Sequence, residues 1–516
     1  MFDPTARRRV GVLAIGLALT APVTGTARGA TASRRCPTDF KKDAHISVPS
    51  ATVIPAKKQA WENALGGPDA AQPQIQARLA GWPQFLLVDR HALPDTDREF
   101  ALRVARDTWR GLDMLTDREN GLPVDNVRVR NRSVAVADAH VGDYTSGTNI
   151  GLHLIAIIAA RDLGFIAETE AVAKIRTLLD TVEHLETFRG FPFNFYDTTS
   201  LERTSNFVSF VDASWLTAGL MVVRTAFPEL SARCTTSIAQ KDFRFFYDPA
   251  KRQISHGYYV KPGVRSPYDY GMLYTEARLG SLIAIGKGDV PEASWFEMAR
   301  TFPGECSGQT QTPTHTRATT VRGHTFSAGY YEWSGLRYVP SWGGSMFEAL
   351  MPTLLLDEPQ YAPKSLGAND RIQATVQRRY ALEALGYTVW GISPCASPVA
   401  DGYGEYGVKV LGARGYDAGA VTPHAAALAL SVAPAAALAN LRAMAQLYDI
   451  YGEYGFYDAV DPRSGTVAYK YLTLDQSMLF IALANYLNDH CIQKRFAADP
   501  IMQKVLPIIS DEDFFN

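Results

Sequence analysis

The hydrophobic pattern of the chain alternates between two kinds of segment. One kind opens on polar or acidic residues and continues as an almost wholly apolar run; the other is apolar on one helical face and charged on the other. The first kind returns six times. Asp143-Tyr-Thr-Ser-Gly-Thr-Asn149 leads into Ile150–Ala160, Asp212-Ala-Ser-Trp215 into Leu216–Val223, and Glu276 into Leu279–Ile285. Ser345-Met-Phe-Glu348 leads into Ala349–Leu356, Val421-Thr-Pro-His424 into Ala425–Val432, and Leu474-Asp475-Gln476 into Met478–Leu487. Between them lie amphipathic stretches at Thr169–Leu185, Trp295–Phe302, Ile372–Leu385 and Ala435–Tyr448. Another follows Asp95, with acids in its first turn and Phe100, Val104, Trp109 and Leu112 on one face. A helix that is apolar all round is buried, and an amphipathic one covers it. At a spacing of roughly fifty to seventy-five residues, this alternation predicts an all-α fold, an (α/α)6 barrel. Its inner helices would start at one end and bring their leading residues together there. An ordinary helical array, with the carboxylates serving as helix caps, is the alternative.

The N-terminal region breaks this rhythm. Arg7-Arg8-Arg9 precede the apolar run Val10–Ala21, and the small-residue site Ala30-Thr31-Ala32 follows, which predicts a signal peptide over residues 1–32 and a periplasmic or secreted protein. The double arginine also resembles a twin-arginine signal, so the route of export stays open. The run is too short and too broken by Gly and Pro to span a membrane. Residues 33–94 are irregular, apart from an apolar patch at Trp82–Val88, and read as an N-terminal extension or cap. Residues 95–495 then form the catalytic domain and 496–516 a C-terminal tail.

Charge and composition narrow the partners. The formal charge is −2, and removal of the leader with Arg7, Arg8, Arg9, Arg28 and Asp3 makes it −5. Beyond the leader no basic patch or Lys/Arg run stands out, which argues against nucleic acid, because phosphate binding needs grouped cations. With 47% hydrophobic residues the chain can bury a large core. The five cysteines, Cys36, Cys234, Cys306, Cys395 and Cys491, lie far apart with no C-x-x-C, so they predict no zinc site. In an exported protein they allow two disulfides and one free thiol, with a pairing that sequence does not give. H-E-x-x-H and G-x-S-x-G motifs are absent, and the glycines from Gly280 to Gly288 lack phosphate-loop spacing.

The loops that feed the helix starts are rich in aromatics beside acids: Phe191–Asp197, Tyr330–Ser334, Tyr338–Trp342, Tyr403–Tyr406 and Tyr451–Asp461. Aromatic faces stack on the C–H surfaces of sugars while carboxylates and amides take up hydroxyls, so this mixture suits an oligo- or polysaccharide. Glycoside hydrolysis needs two carboxyl groups, one protonated and one ionised. The candidates for that pair are Glu276, at a helix start with Arg278 nearby, and Glu405, in the glycine-rich loop Asp401–Gly407. Glu348 is a third, though its apolar neighbours Met346, Phe347 and Leu350 allow a structural role; Glu332 and Glu453 stay open. Asp143, Asn149, Asp197, Asp212, Arg278, Trp342, Glu348, Tyr403, His424 and Asp475 are candidate substrate-binding residues, with Asp143, Asp212 and Asp475 equally able to cap helices. A lyase using His324 or His424 would need an acidic uronate, which a site this acidic would repel.

Several of these stretches carry a resemblance to a known family. Thr145–Gly151, Phe193–Asp197, Val208–Asp212, Glu276-Ala-Arg278, Ser345–Pro352, Gly391-Ile-Ser393, Gly402–Gly407, Val421–His424 and Leu474-Asp-Gln476, in that order over residues 95–490, resemble the bacterial glucoamylase-like domain. That domain occurs in endo-β-1,2-glucanases of glycoside hydrolase family 144, and a related form is the transglycosylase domain of cyclic β-1,2-glucan synthases. The resemblance implies an (α/α)6 barrel acting on a β-glucan, β-1,2-linked, with neither metal nor organic cofactor. It also implies a reacting glutamate at Glu276. The synthases' second glutamate follows a Gly-Ile-Ser motif; here Gly391-Ile-Ser393 is followed by Pro394-Cys395, so Glu405 would have to substitute. The departure favours an inverting hydrolase over a retaining transglycosylase. Action on another linkage, exo attack, transglycosylation and a non-catalytic glucan-binding module stay open, as does the oligomeric state.

Overall fold

Small hydroxyl residues decide where four of the six apolar stretches become helical. In the computed structural model, Ser146, Ser209, Ser345 and Thr422 each sit in extended backbone and accept, on the side-chain oxygen, the amide hydrogen three residues ahead. Each thereby satisfies one of the amides that a helix start leaves unpaired. The structure describes residues 92–129, 139–302, 308–400 and 402–516, all within one contact unit, Arg35–Asn516. The predicted leader, most of the predicted cap at 33–94, residues 303–307 and Asp401 lie outside them.

Fifteen α-helices occur among the described residues. They are α1 (Asp97–Met114), α2 (Gly147–Asp162), α3 (Glu168–His184), α4 (Phe210–Ala226), α5 (Pro228–Ala239), α6 (Arg278–Gly286), α7 (Ala293–Glu297) and α8 (Met346–Leu350). There follow α9 (Glu358–Tyr361), α10 (Leu366–Arg379), α11 (Pro423–Leu428), α12 (Pro434–Leu447), α13 (Thr473–Leu487), α14 (Cys491–Ala498) and α15 (Pro500–Ser510). The six apolar stretches are α2, α4, α6, α8, α11 and α13. Helix α2 packs on α4, α4 on α6, α8 on α11, α11 on α13, and α13 back on α2. Arg278, the first residue of α6, donates to the carbonyls of Glu348 and Ala349 in α8 and so joins that remaining pair. Outside these lie α1 against α13, α3 against α2, α5 against α4, α10 against α8 and α12 against α11. The molecule is helix-rich, in an order consistent with an α/α toroid.

The apolar helices approach closely where glycine allows it. A side chain at Gly151 of α2 would lie 2.2 Å from the Trp215 carbonyl oxygen of α4, and one at Gly219 of α4 would lie 2.5 Å from the Gly151 carbonyl oxygen. The two backbones therefore touch at one crossing. The sequence shows this as the glycine in Thr145–Gly151 and the gap at Gly219 in an otherwise bulky run.

The expectation of an all-α molecule leaves out the connections, which pair as short antiparallel strands. The longest, His315–Val321 with His324–Trp333, extends to Leu336–Tyr338. The stretch Trp295–Phe302, read as a helix, is helical only through Ala293–Glu297 and then runs extended from Met298. Helices α8 and α11 are shorter than the apolar runs that encode them and pass into 3-10 turns at Met351–Leu354 and Ala429–Ser431. At α8 this follows from Pro352, which has no amide hydrogen to continue an α-helix.

Residues 496–516 are not a loose tail. They contain α15, packed on α6, and Glu512, which forms a buried two-pronged ion pair with Arg300 at 2.7 and 2.8 Å. Cys234, Cys395 and Cys491 are free and buried, which removes the expectation of two disulfides. Among the described residues no helix is long and apolar enough to cross a membrane.

Candidate active site

The capping hydroxyls release the acids beside them for other work. Of the acids and amides at the four capped starts, Glu348 alone forms a capping box with its own N-cap. Asp212 accepts from the Thr148 hydroxyl (2.6 Å) and amide (3.4 Å), tying the start of α4 to that of α2. Asn149 donates to Asp125 at 3.0 Å. The reading of these carboxylates as ordinary caps therefore fits Glu348 and fails for Asp212.

Glu348 sits in a cradle of donors. Its Oε2 accepts from the Ser341 hydroxyl (3.0 Å), the Gly343 amide (3.1 Å), the Ser345 amide (3.1 Å) and the Ser345 hydroxyl (2.9 Å), and its Oε1 from Gly343 (3.0 Å). Burial still outweighs those bonds and raises its pKa. A carboxylate so occupied is held in place by its own loop. Arg278 is held likewise. It is fully buried, its guanidinium grips Glu358 through two bonds of 2.7 and 2.8 Å, and its other hydrogens go to the carbonyls of Thr275, Glu348 and Ala349. It fixes the start of α6 against α8, with its guanidinium committed to these protein partners.

Glu276 lies two residues ahead of α6 and is partly exposed. Burial, and then the negative charge of Glu348, push its pKa up to about 7, with smaller opposing effects from its own backbone amide and Arg278. It is therefore a carboxyl group that can be protonated near neutrality. Tyr416, half-buried, stands among three acids: after burial itself, the charges of Glu348, Glu405 and Glu276 raise its pKa far above that of an ordinary phenol. The ring covers Gly343, where a side chain would lie 2.2 Å from two ring carbons, and the Tyr416 amide donates to the Gly343 carbonyl at 2.8 Å. Tyr416 thus lies within the fields of Glu276, Glu348 and Glu405. Glu405 itself is exposed. Trp342, half-buried and next to Gly343 in the chain, packs on Met272, Phe302 and Ala413.

A second acidic group gathers at the starts of α11 and α13. Asp475 and His424 are nearly fully buried, with His424 Nδ1 3.3 Å from Asp475 Oδ2. Asp458 joins them and accepts from the Ala396 amide at 2.6 Å. Burial and each other's charge raise Asp475 well above its ordinary value, and burial raises Asp458 to about 6. Burial alone lowers His424 to about 3, so the imidazole is neutral. Tyr403 lies half exposed above the group, its hydroxyl within the fields of Asp475 and Asp458. Asp143 and Asp197 serve a loop instead. Asp143 accepts from Thr198 and, at 2.6 Å, Thr199, while Asp197 accepts from the amides of Thr199 and Ser200.

Sequence reasoning missed Tyr416, Asp125 and Asp458. Each sits in an irregular connection where no period marks it. The one signal available was composition, since Asp458 lies in the aromatic and acidic stretch Tyr451–Asp461.

Comparison with known proteins agrees with the resemblance read from the sequence. Residues 308–500 match the Glycoamylase family model, a glucoamylase description, and residues 103–246 match DUF3131, a domain of unknown function. The cyclic β-(1,2)-glucan synthase NdvB of Rhizobium meliloti is 24% identical over 78% of this chain and 18% of its own length. An exo β-1,2-glucooligosaccharide sophorohydrolase of Parabacteroides distasonis is 23% identical over 80% of this chain and 58% of its own. The chain therefore spans less than two thirds of either relative. The endo-β-1,2-glucanase of Chitinophaga pinensis, solved with sophorotriose and glucose, superimposes with a TM-score of 0.62 at 17% identity, covering 81% of this chain and 99% of that one. That glucanase shares its fold.

Proposed function

We propose that this protein is a glycoside hydrolase that cleaves β-1,2-glucan on an (α/α)6 barrel, exported to the periplasm or beyond. The reading is carried by Tyr416, packed on Gly343, whose amide holds Glu348, and lying within the fields of Glu276, Glu348 and Glu405, with Glu276 pushed up to about 7. Glu276 is the general acid: it gives its proton to the glycosidic oxygen as the C1–O bond breaks. Glu405 is the base: it takes a proton from the water whose oxygen attacks C1 from the opposite face, so the anomer inverts. Glu348 does not react; its charge keeps the Glu276 proton in place. Trp342 and Tyr403, each with an accessible ring, stack on glucosyl units. The names of the relatives support the linkage: one is a β-1,2-glucanase and another a β-1,2-glucooligosaccharide hydrolase.

The test is incubation of the mature protein with linear β-1,2-glucan beside β-1,3-, β-1,4- and α-linked controls, with products followed by NMR. Short oligomers with inverted anomer from the β-1,2 polymer alone are expected. Turnover of another polymer instead would remove the substrate, and affinity without turnover would reduce the protein to a binding module. Because one relative is exo-acting, the same time course separates the modes: disaccharide alone from the outset means exo attack, a ladder of oligomers endo.

A further inference from the structure

His424, Asp458 and Asp475 form a site of a different kind from the Glu276 centre. One ligand atom from each lies within 4.8 Å of the others, and all three side chains are at most 2% exposed. Four of their polar atoms, His424 Nδ1, Asp458 Oδ1 and both oxygens of Asp475, take no donor from the residues around the group, and Asp458 and Asp475 lie within hydrogen-bonding reach of each other. A buried acceptor without a donor costs about 1–3 kcal/mol, and more when charged. Three such groups facing one another need something positive between them.

The histidine adds to this. Its Nε2 lies 3.4 Å from the Thr422 hydroxyl oxygen, which can donate to it or accept from it, and its Nδ1 lies 3.3 Å from Asp475 Oδ2 without a hydrogen bond between them. With the proton on Nε2, Nδ1 presents its lone pair to the two carboxyl groups. A ring nitrogen held by an outer hydroxyl while the other presents its lone pair is the arrangement of a metal-bound imidazole. The surrounding charges point the same way. Asp125 acts on both Asp458 and Asp475, and of the cations Lys470 is the one whose field reaches both. Asp125 is itself held by Asn149 and Asn126 and is not a ligand. The Cys395 thiol nearby is kept protonated by burial and these acids. Carboxyl groups thus outnumber the one ammonium around the site.

We propose that His424, Asp458 and Asp475 bind one divalent cation of the first transition row, such as Zn2+ or Mn2+. An imidazole with two carboxylates favours these ions over Mg2+ or Ca2+, which prefer all-oxygen sites. Metal–ligand distances of about 2.0–2.2 Å allow one ion to reach all three atoms after a contraction of under about 1 Å. The cation joins the starts of α11 and α13 to the segment carrying Asp458. The resemblance implies no metal, and the Glu276–Glu405 chemistry uses none, so the proposal stands apart from the assigned activity.

The test needs no glucan. Chelator-stripped full-length protein is titrated calorimetrically with MnCl2 or ZnCl2, and the Mn2+-loaded protein is examined by electron paramagnetic resonance. One ion per chain is expected, with Mn2+ bound as a protein-coordinated species and a raised melting temperature. Asp475→Asn and His424→Gln should each weaken binding by about 10-fold or more, while Asp143→Asn, outside the site, should not. Should the site variants fail to fold, the metal content of wild-type protein purified without chelator decides. About one equivalent supports the site, and under a tenth of one, together with no calorimetric binding at millimolar metal, overturns it in favour of a proton shared by Asp458 and Asp475. Binding unchanged in both folded variants overturns it too.

Discussion

Glu276 is the residue at which function and stability pull apart. Its carboxyl titrates near 4.5 in the unfolded chain and about 7 in the fold. Below the lower value both states are protonated and nothing is lost. As pH rises from the lower value to the upper one, the unfolded chain has released its proton while the fold still holds one, so the fold loses stability over that interval and the loss is complete above about 7. Glu276→Gln should therefore lower turnover by about 10²–10⁴-fold yet raise the melting temperature at pH 8 and leave it unchanged at pH 4. Thermal melts at the two pH values check this, and a lower melting temperature at pH 8 would show that the carboxyl is not destabilising there. For the same reason the activity of the wild type should fall as pH rises past about 7, as the acid is lost. Glu348→Gln removes the charge that sustains that value, so the alkaline limb of the pH–rate profile should move to lower pH. An unmoved limb would separate Glu348 from the tuning of Glu276. Glu276 stands out in the sequence because it precedes an apolar run. The cradle around Glu348 does not, because it consists of backbone amides and serines that any tight loop could contain.

At the scale of elements, the sequence conveys best what repeats. The six apolar helices were readable because a helix without a polar face has nowhere to lie but inside, and their outer partners because a stripe shows at every turn. Where the chain departs from period, reading fails: the His315–Trp333 hairpin, the early end of α7, and the buried α15, whose Pro507 breaks a pattern read as a tail. The crossing of α2 and α4 yields a sharp expectation. Gly151→Ala sets a methyl against the Trp215 carbonyl and Leu216, and should destabilise by about 1–3 kcal/mol. Chemical denaturation checks it; a change within about 0.5 kcal/mol, the range of an uninvolved surface site, would mean that the helices can slide apart.

Over the whole molecule, contacts between distant parts of the chain hold the order of the helices. Ending the protein at Asp499 removes α15 from α6 and strips buried Arg300 of Glu512. An uncompensated buried charge costs about 3–5 kcal/mol, so this truncation should lower the melting temperature sharply or leave the protein insoluble. A melting curve equal to that of the full chain would make the segment dispensable. The packing of α13 against both α1 and α2 sets a constraint in time as well as in space. Helices made first during synthesis must wait, with apolar sides uncovered, for one made near the end. Until then the growing chain has no arrangement in which they are all covered. The chain thus matures in one late step, and it is most exposed to aggregation in the interval just before that step.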